Sequence, residues 1–324
     1  MRACYGYAPA LMTVCAVAGG AAQAQDYPNK PIRVIIASAP GGSTDTIGRT
    51  VGDGIGGALG QQVVHDNRAG AGGIVAAELT ARAAPDGYTF LLSTTAGIAV
   101  SGNLYKKLPY DPIKDFAPIV LVATQPYVMV VNPAVASSVS ELLARAKAKP
   151  GQITFGSTGV GTSSHLAGEF FKSLAGVDML HVPYKSMSAA MIDVVSGRAS
   201  LAFGSHIATV SLVKSGRLKA LAVTSATRTS VAPELPTLEE AGVRGYVLEN
   251  WYGLLAPART PAAIVTRINA ITNKTLAQAE AKERMARDGT SAMGGTPEAF
   301  GAFIKIEIIK WAKLLKAAGI VADK

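Results

Sequence analysis

The sequence predicts an α/β architecture of two lobes, each a mixed, mostly parallel sheet flanked by helices. Three observations predict it. Short apolar runs at residues 32–37, 89–93, 153–156, 179–183, 201–204 and 218–224 alternate with helical patterns, the mark of layered βα units. Two of these runs break into Gly/Ser/Thr loops that lead straight into helices. Two long extended stretches without helix signals, 116–132 and 246–257, read as crossings between lobes. The chain would build lobe one over 25–124, cross into lobe two over 125–248, and return so that 249–324 completes lobe one. A cleft between lobes is a preferred place for a small ligand.

Residues 1–24 stand apart from the fold. Arg2, the short apolar core of residues 8–17 and Ala22-Gln23-Ala24 make a secretory leader cleaved near Ala24. The apolar run is much shorter than the roughly 20 residues a membrane span needs. Both cysteines, Cys4 and Cys15, fall in this leader, and Val14 before Cys15 argues against lipid attachment. A mature chain without thiols has no disulfide, thiolate metal site or cysteine nucleophile. An oxidising bacterial periplasm suits it, because a core this large needs no cross-links.

Loss of Arg2 with the leader lowers the formal charge from +9 to +8. The basic residues are scattered, among them Lys106, Lys107, Arg145, Lys147, Arg217 and Lys219. They form no dense stripe interleaved with aromatics, so no nucleic-acid partner is expected. Helix starts are legible at Ser138 with Glu141 and at Thr237 with Glu240, both capping boxes. Thr260-Pro261 and Thr296-Pro297 place a cap before a first-position proline. Phe300, Ile304, Ile308, Trp311 and Leu315 mark the buried face of the last helix.

The two loops carry the chemistry. The stretch Ser157-Thr158-Gly159-Val160-Gly161-Thr162-Ser163 and the stretch Ala39-Pro40-Gly41-Gly42-Ser43-Thr44-Asp45 each place hydroxyls and close-approaching backbone at a helix start. Unpaired amides and the positive dipole end there attract an anion. A third loop, Ser93-Thr94-Thr95, offers similar donors or is an ordinary polar turn. Asp45 either meets a ligand polar group or is a first-turn acid stabilising its helix.

Several motifs occur in order along nearly the whole mature chain. They are Pro40-Gly41-Gly42-Ser43-Thr44-Asp45, Ala84-Pro85-Asp86-Gly87-Tyr88, Leu108-Pro109-Tyr110-Asp111-Pro112, residues 157–166, His181-Val182-Pro183-Tyr184-Lys185, and Leu235-Pro236-Thr237 with Glu240-Ala241-Gly242. Together they resemble the Bug-type substrate-binding receptors of tripartite tricarboxylate transporters.

The resemblance implies a two-lobed periplasmic binding protein of type II-like layout. It would close on a small carboxylate, be it mono-, di- or tricarboxylate, and deliver it to a two-subunit membrane permease. It would act as a monomer and catalyse nothing, without metal or cofactor. The ligand-contacting positions it implies are Ala39, Gly41, Gly42, Ser43, Thr44 and Asp45 from lobe one, and Ser157, Thr158, Gly161, Thr162 and Ser163 from lobe two. Tyr184 is divided between donating to the far end of the ligand and serving the fold alone. Where relatives carry acids on a lobe-two strand, this chain has Gly204 and Ser205, followed by His206, which either makes a less acidic pocket suited to a plain carboxylic acid or only shapes the core.

Two other classes stay open. A sensor that presents bound ligand to a membrane signalling protein would share these features. An exported hydrolase needs a Ser/His/Asp triad assembled from distant positions. Gly52-Asp53-Gly54-Ile55-Gly56-Gly57 fits G-x-G-x-x-G only formally, since it lies within a helical pattern rather than at a strand-to-helix turn. His165 and Glu169, one turn apart, lack a third metal ligand.

Overall fold

The computed structural model describes Met1 and residues 27–229 and 231–317. The leader, with Cys4, Cys15 and Ala24, lies outside the described residues. The chain begins with β1 (Ile32–Ile36), α1 (Ser43–Leu59), β2 (Val63–Asn67), α2 (Ile74–Ala81), β3 (Thr89–Thr94), α3 (Ser101–Leu104) and β4 (Phe116–Pro126). It continues through β5 (Val128–Val131), α4 (Val139–Ala148), β6 (Thr154–Ser157), α5 (Ser163–Ala175), β7 (Leu180–Pro183), α6 (Met187–Ser196), β8 (Leu201–Gly204), α7 (His206–Lys214) and β9 (Lys219–Val223). It ends with β10 (Glu249–Pro257), α8 (Ala262–Ala277), α9 (Ala279–Arg287), β11 (Ser291–Ala292) and α10 (Pro297–Ala317).

Two sheets result, in the orders β11-β4-β10-β3-β1-β2 and β7-β6-β8-β5-β9. Parallel pairing joins β2, β1 and β3 in one and β7, β6 and β8 in the other. The expectation of two mixed sheets holds, with the parallel pairs made by the βα units. The crossing strands β4 and β10 pair antiparallel with each other, β10 with β3, and β5 with β8 and β9. Strands that carry the chain from one lobe to the other run against the βα units they meet, so both sheets are mixed.

Strand burial explains why these runs fold as they do. On β1, Ile32, Val34 and Ile36 enter the core under α1 and α8, while Ile35 enters the core on the opposite face. Successive side chains point to opposite faces, so a central strand covered on both sides is mostly apolar, and Arg33, the exception on β1, pairs with Asp66 of β2. In the second sheet Met129 and Val131 face one core and Val128 and Val130 the other. The first of these cores is continuous across both lobes, including Leu91 and Trp251 on one side and Phe155 and Phe203 on the other.

Helix α1 shows why Gly52-Asp53-Gly54-Ile55-Gly56-Gly57 is not a nucleotide fingerprint. The glycines lie inside the helix. A Cβ on Gly52 would fall 2.4 Å from His65 Nε2, and one on Gly54 2.2 Å from Thr275 Oγ1, so they permit close packing on β2 and α8.

The caps divide. Thr296 accepts the Ala299 amide ahead of Pro297, as expected. Ser138 caps α4 by accepting the Glu141 amide, but the Glu141 carboxylate takes the amide of Ser137 rather than that of the cap. Thr237 and Glu240 form the full reciprocal box, at 3.0 and 2.9 Å, over a turn that never becomes a helix. Thr260 turns its hydroxyl back to the Pro257 carbonyl, and Pro261 itself occupies the cap of α8.

On α10 the expected face is buried through Phe300, Ile304, Trp311 and Leu315, with Ile308 packed against it. Each such side chain contributes about 1.5–3 kcal/mol relative to exposure.

Candidate functional site

The carboxyl ends of β1 and β3 in one lobe face those of β6 and β8 in the other, the place where open α/β sheets bind ligands. Contacts bracket the space on two sides. On one, a Cβ on Gly72 would lie 3.7 Å from the Gly161 carbonyl oxygen, and one on Gly161 only 2.4 Å from Leu104 Cδ2. On the other, a Cβ on Gly289 would lie 2.6 Å from that of His206. A buried bond at 3.0 Å from the Ser163 hydroxyl, at the start of α5, to Asn250 Oδ1 joins the lobes at the crossing.

The lobe-one loop is organised by Asp45. Its carboxylate accepts the Gly41 amide at 3.0 Å, the Asn67 side-chain amide at 2.9 Å and Arg49 Nε at 3.0 Å. Asn67 Nδ2 also reaches the Ser38 carbonyl. Burial pushes the Asp45 pKa up, but the Gly41, Asn67 and Arg49 donors outweigh it and hold the carboxyl below its usual range. Three donors thus already occupy the Asp45 carboxylate.

Ala39, Gly41 and Gly42 are exposed, and a Cβ on either glycine would meet nothing within 4 Å, so this loop borders open space. Gly42 caps α1, leaving the first-turn amides of Ser43 and Thr44 without intrahelical partners. The Ser43 hydroxyl accepts Gln125 Nε2 at 3.2 Å, and Gln125 also donates to the Asp288 carbonyl and accepts the Tyr252 phenol at 2.6 Å. Thr44 lies beside that phenol, whose pKa burial drives upward.

At the ends of β1 and β3, the Ser38 and Ser93 hydroxyls are buried with no hydrogen-bond partner. An unpaired buried hydroxyl is costly, and a bound polar group beside it removes that cost. Thr94 pairs in register with Tyr252, and the Thr95 hydroxyl accepts the Trp251 amide at 2.9 Å, so Thr95 braces the crossing strand. A π-helical turn, Ala96–Val100, follows.

The lobe-two loop is held from within. Thr162 caps α5 and donates to the Gly159 carbonyl at 2.8 Å. The Thr158 amide donates to the Ser164 hydroxyl at 3.0 Å, and the Gly161 amide to His165 Nδ1 at 3.1 Å. The Ser157 hydroxyl lies 2.6 Å from His181 Nε2. Of the expected contacts, Thr158, Gly161 and Thr162 thus spend these groups inside the loop. The first-turn amides of Ser163 and Ser164 remain without intrahelical partners.

Tyr184 is turned elsewhere. Its ring packs over Gly156 and its hydroxyl donates to Asp193 at 2.9 Å, with burial and then that bond pushing the phenol up to about 12. Gly204 is buried, and Met191 and Thr209 fill the space a side chain would need. Ser205 begins α7 without a side-chain cap.

Ser157 and His181 form a serine–histidine pair, but Ser157 is fully buried and accepts the Gly159 amide. Among the described residues no hydrogen-bonded carboxylate orients His181, which a triad requires. Glu169 sits 3.9 Å from His165 Nε2 and pairs with Lys172 at 3.1 Å. No group of three or more His, Cys, Asp or Glu side chains is placed to share a metal among the described residues. No helix there is long and apolar enough to cross a membrane.

Away from the loops, a cavity of about 340 Å³ lies on the flank of the crossing, lined by Arg228, Lys282, Thr227, Thr229, Glu249 and Thr290. None of the expected site residues lines it.

A family model for the tripartite tricarboxylate transporter family receptor matches residues 47–320. The chain belongs to that family. Three solved structures set the receptor beside its relatives. R. palustris Rpa4515 with adipate is 32% identical, with a TM-score of 0.86 over 92% of this chain and 100% of that one. The periplasmic binding protein BugD is 33% identical, with a TM-score of 0.84 over the same shares. MatC from Rhodopseudomonas palustris with bound malate is 28% identical, with a TM-score of 0.82 over 89% of this chain and 100% of that one. The receptor therefore has the two-lobed periplasmic binding-protein fold, and its family is one of solute-binding receptors.

The sequence reading missed Asn67, Gln125, Asn250 and Ser164. Gln125 and Asn250 each interrupt or border an apolar crossing run, a signal that a lone polar residue there is buried and bonded. Asn67 and Ser164 carry no comparable signal.

Proposed function

We propose that this receptor captures a small carboxylic acid between its lobes in the periplasm and hands it, unchanged, to a membrane permease of two subunits. What supports the reading is that each lobe carries a helix start with free first-turn amides, and that the lobes meet at Gly72–Gly161 and Gly289–His206. Ser43 and Thr44 from one side and Ser163 and Ser164 from the other donate to the ligand carboxylate. The unpaired Ser38 and Ser93 hydroxyls supply further polar contacts. Neutral donors suit a protein that must release its ligand, since charge-assisted bonds are stronger.

The acid is a plain one rather than an amino acid. Asp45, the carboxylate of the β1–α1 loop, is saturated by Gly41, Asn67 and Arg49, and Gly204 leaves no acid at the end of β8. The lobes run from 25 to 124 with 249 to 324, and from 125 to 248. The leader is cleaved near Ala24, and the mature receptor is a monomer.

Adipate and malate, the ligands of two relatives, are the first probes. Ligand-stripped protein titrated with each, and with aspartate as the amine-bearing control, tests the reading by thermal shift. Stabilisation by at least one plain acid, recovered intact afterwards, is the expected outcome. Stabilisation by aspartate alone, or hydrolysis of an ester probe, contradicts it.

A further inference from the structure

Beneath the β6–α5 loop two imidazoles lie one over the other. His165, from the first turn of α5, and His181, from β7, have ring centroids 4.1 Å apart, and the Phe155 ring stacks 5.0 Å from that of His181. Each ring holds part of the loop. His165 Nδ1 accepts the Gly161 amide at 3.1 Å. A ring nitrogen that accepts carries no proton, so the hydrogen-bond network assigns the proton of His165 to Nε2. His181 Nε2 meets the Ser157 hydroxyl at 2.6 Å, and that hydroxyl accepts the Gly159 amide at 3.1 Å. Gly159 and Gly161 are the two left-handed residues of the loop, at φ +119 and +77. The two imidazoles therefore hold the two residues that give the loop its shape.

We infer that His165 and His181 are positioning residues for the ligand, a neutral imidazole pair that fixes the β6–α5 loop so that the first-turn amides of Ser163 and Ser164 face the cleft. What the loop binds rests on the carboxylate reading above; the way it is held does not. Protonating His165 Nδ1 would set one N–H against another at the Gly161 amide and place a charge beside the second ring.

The surroundings favour neutrality. The charged groups facing the pair come from α5, where Glu169 lies 3.9 Å from His165 Nε2 and pairs more closely with Lys172, at 3.1 Å. Strands β6 and β8 bring no titratable side chain to it. Tyr184, Asp193 and Arg198 form their own cluster beside α6, with the Tyr184 ring over Gly156 on the other face of β6. Burial first, then the neighbouring His181 and Lys172, pushes His165 down to about 3, and burial with Lys172 takes His181 to about 4.

Histidine-labelled nitrogen NMR of the unliganded full-length mature protein, from pH 7.5 to pH 5, tests the assignment without any ligand. His165 is expected to stay neutral throughout with its proton on Nε2, and the Gly161 amide to resist exchange. A His165 proton on Nδ1, or titration with an ordinary midpoint near 6.5, would overturn it.

A variant pair adds the functional arm. His165→Asn keeps an acceptor but cannot charge, and is expected to hold adipate affinity within about threefold, whereas His165→Ala weakens it about tenfold and deprotects Gly161. Equal protection of Gly161 in His165→Ala and wild type would overturn the inference. Wild type that binds neither adipate nor malate while His165 keeps the expected tautomer removes the carboxylate reading and leaves the positioning role supported.

Discussion

The Ser163 hydroxyl donates to Asn250 Oδ1 at 3.0 Å, tying the start of α5 in one lobe to the crossing strand β10 of the other. Both residues are buried. Ser163 also contributes one of the free first-turn amides, so this bond fixes where one half of the proposed carboxylate site stands relative to the other. Ser163→Ala leaves the Asn250 oxygen unpaired in the interior. A loss of about 1–3 kcal/mol in urea unfolding is expected. An unchanged midpoint would mean that water replaces the hydroxyl and that the bond does not tie the lobes.

Asp45 is expected to matter for the shape of its loop rather than for ligand charge. Asp45→Ala removes the acceptor of the Gly41 amide and strands Asn67 and Arg49, and should cost about 1–3 kcal/mol. Asp45→Asn should cost less, because it retains an oxygen for Gly41. If both variants keep wild-type stability and only ligand preference changes, Asp45 touches the ligand instead.

Gly161 stands at φ +77 with Leu104 pressed against it from the other lobe. A methyl group there strains the backbone and pushes on Leu104, so Gly161→Ala should weaken adipate binding about tenfold, equal to roughly 1.4 kcal/mol. Adding Leu104→Ala relieves the steric part and not the backbone part. Partial recovery of affinity in the double variant is the expected titration result, and no recovery would place the whole effect in the backbone.

His165 and His181 contribute to the acid side of the stability curve, together with His65 and His206, which burial also lowers. His165 and His181 fall to about 3 and about 4 in the folded protein, below the unfolded value of 6.5, so the unfolded chain binds more protons between these limits. Their contribution is complete above pH 6.5 and declines as pH falls towards 4, by up to about 1.4 kcal/mol per pH unit for each ring. Melting temperatures between pH 7 and pH 5 read this window before carboxylates such as Asp45 begin to protonate. His165→Asn should flatten the slope; an identical slope in the variant would assign the pH dependence to other groups.

Much of the scaffold was legible because local patterns coincide with burial. The run from Ile32 is apolar at every position but Arg33 because both faces of β1 are covered, and the last helix shows its core face at Phe300, Ile304 and Trp311. Loop position was legible too, since Gly42 and Thr162 do cap α1 and α5. What each side chain does was less so. Thr162 reads as a ligand donor in sequence, yet its hydroxyl is drawn to Gly159 three residues away. Tyr184 follows β7 closely, yet Asp193 on α6 takes its hydroxyl. The capping box at Thr237 formed without a helix because two turn-sealing bonds need no following turns. Pairings such as His165 with His181 depend on which strands become neighbours, and spacing along the chain does not carry that information.

The most direct test of the central claim is an amide chemical-shift map of the nitrogen-labelled, ligand-stripped receptor titrated with adipate. Saturable shifts centred on Gly41 to Thr44 and on Ser163 and Ser164, with little change around Arg228 and Lys282, are the predicted result. Shifts confined to the flank cavity lined by Arg228, Lys282 and Thr290, with the two helix starts silent, would contradict it.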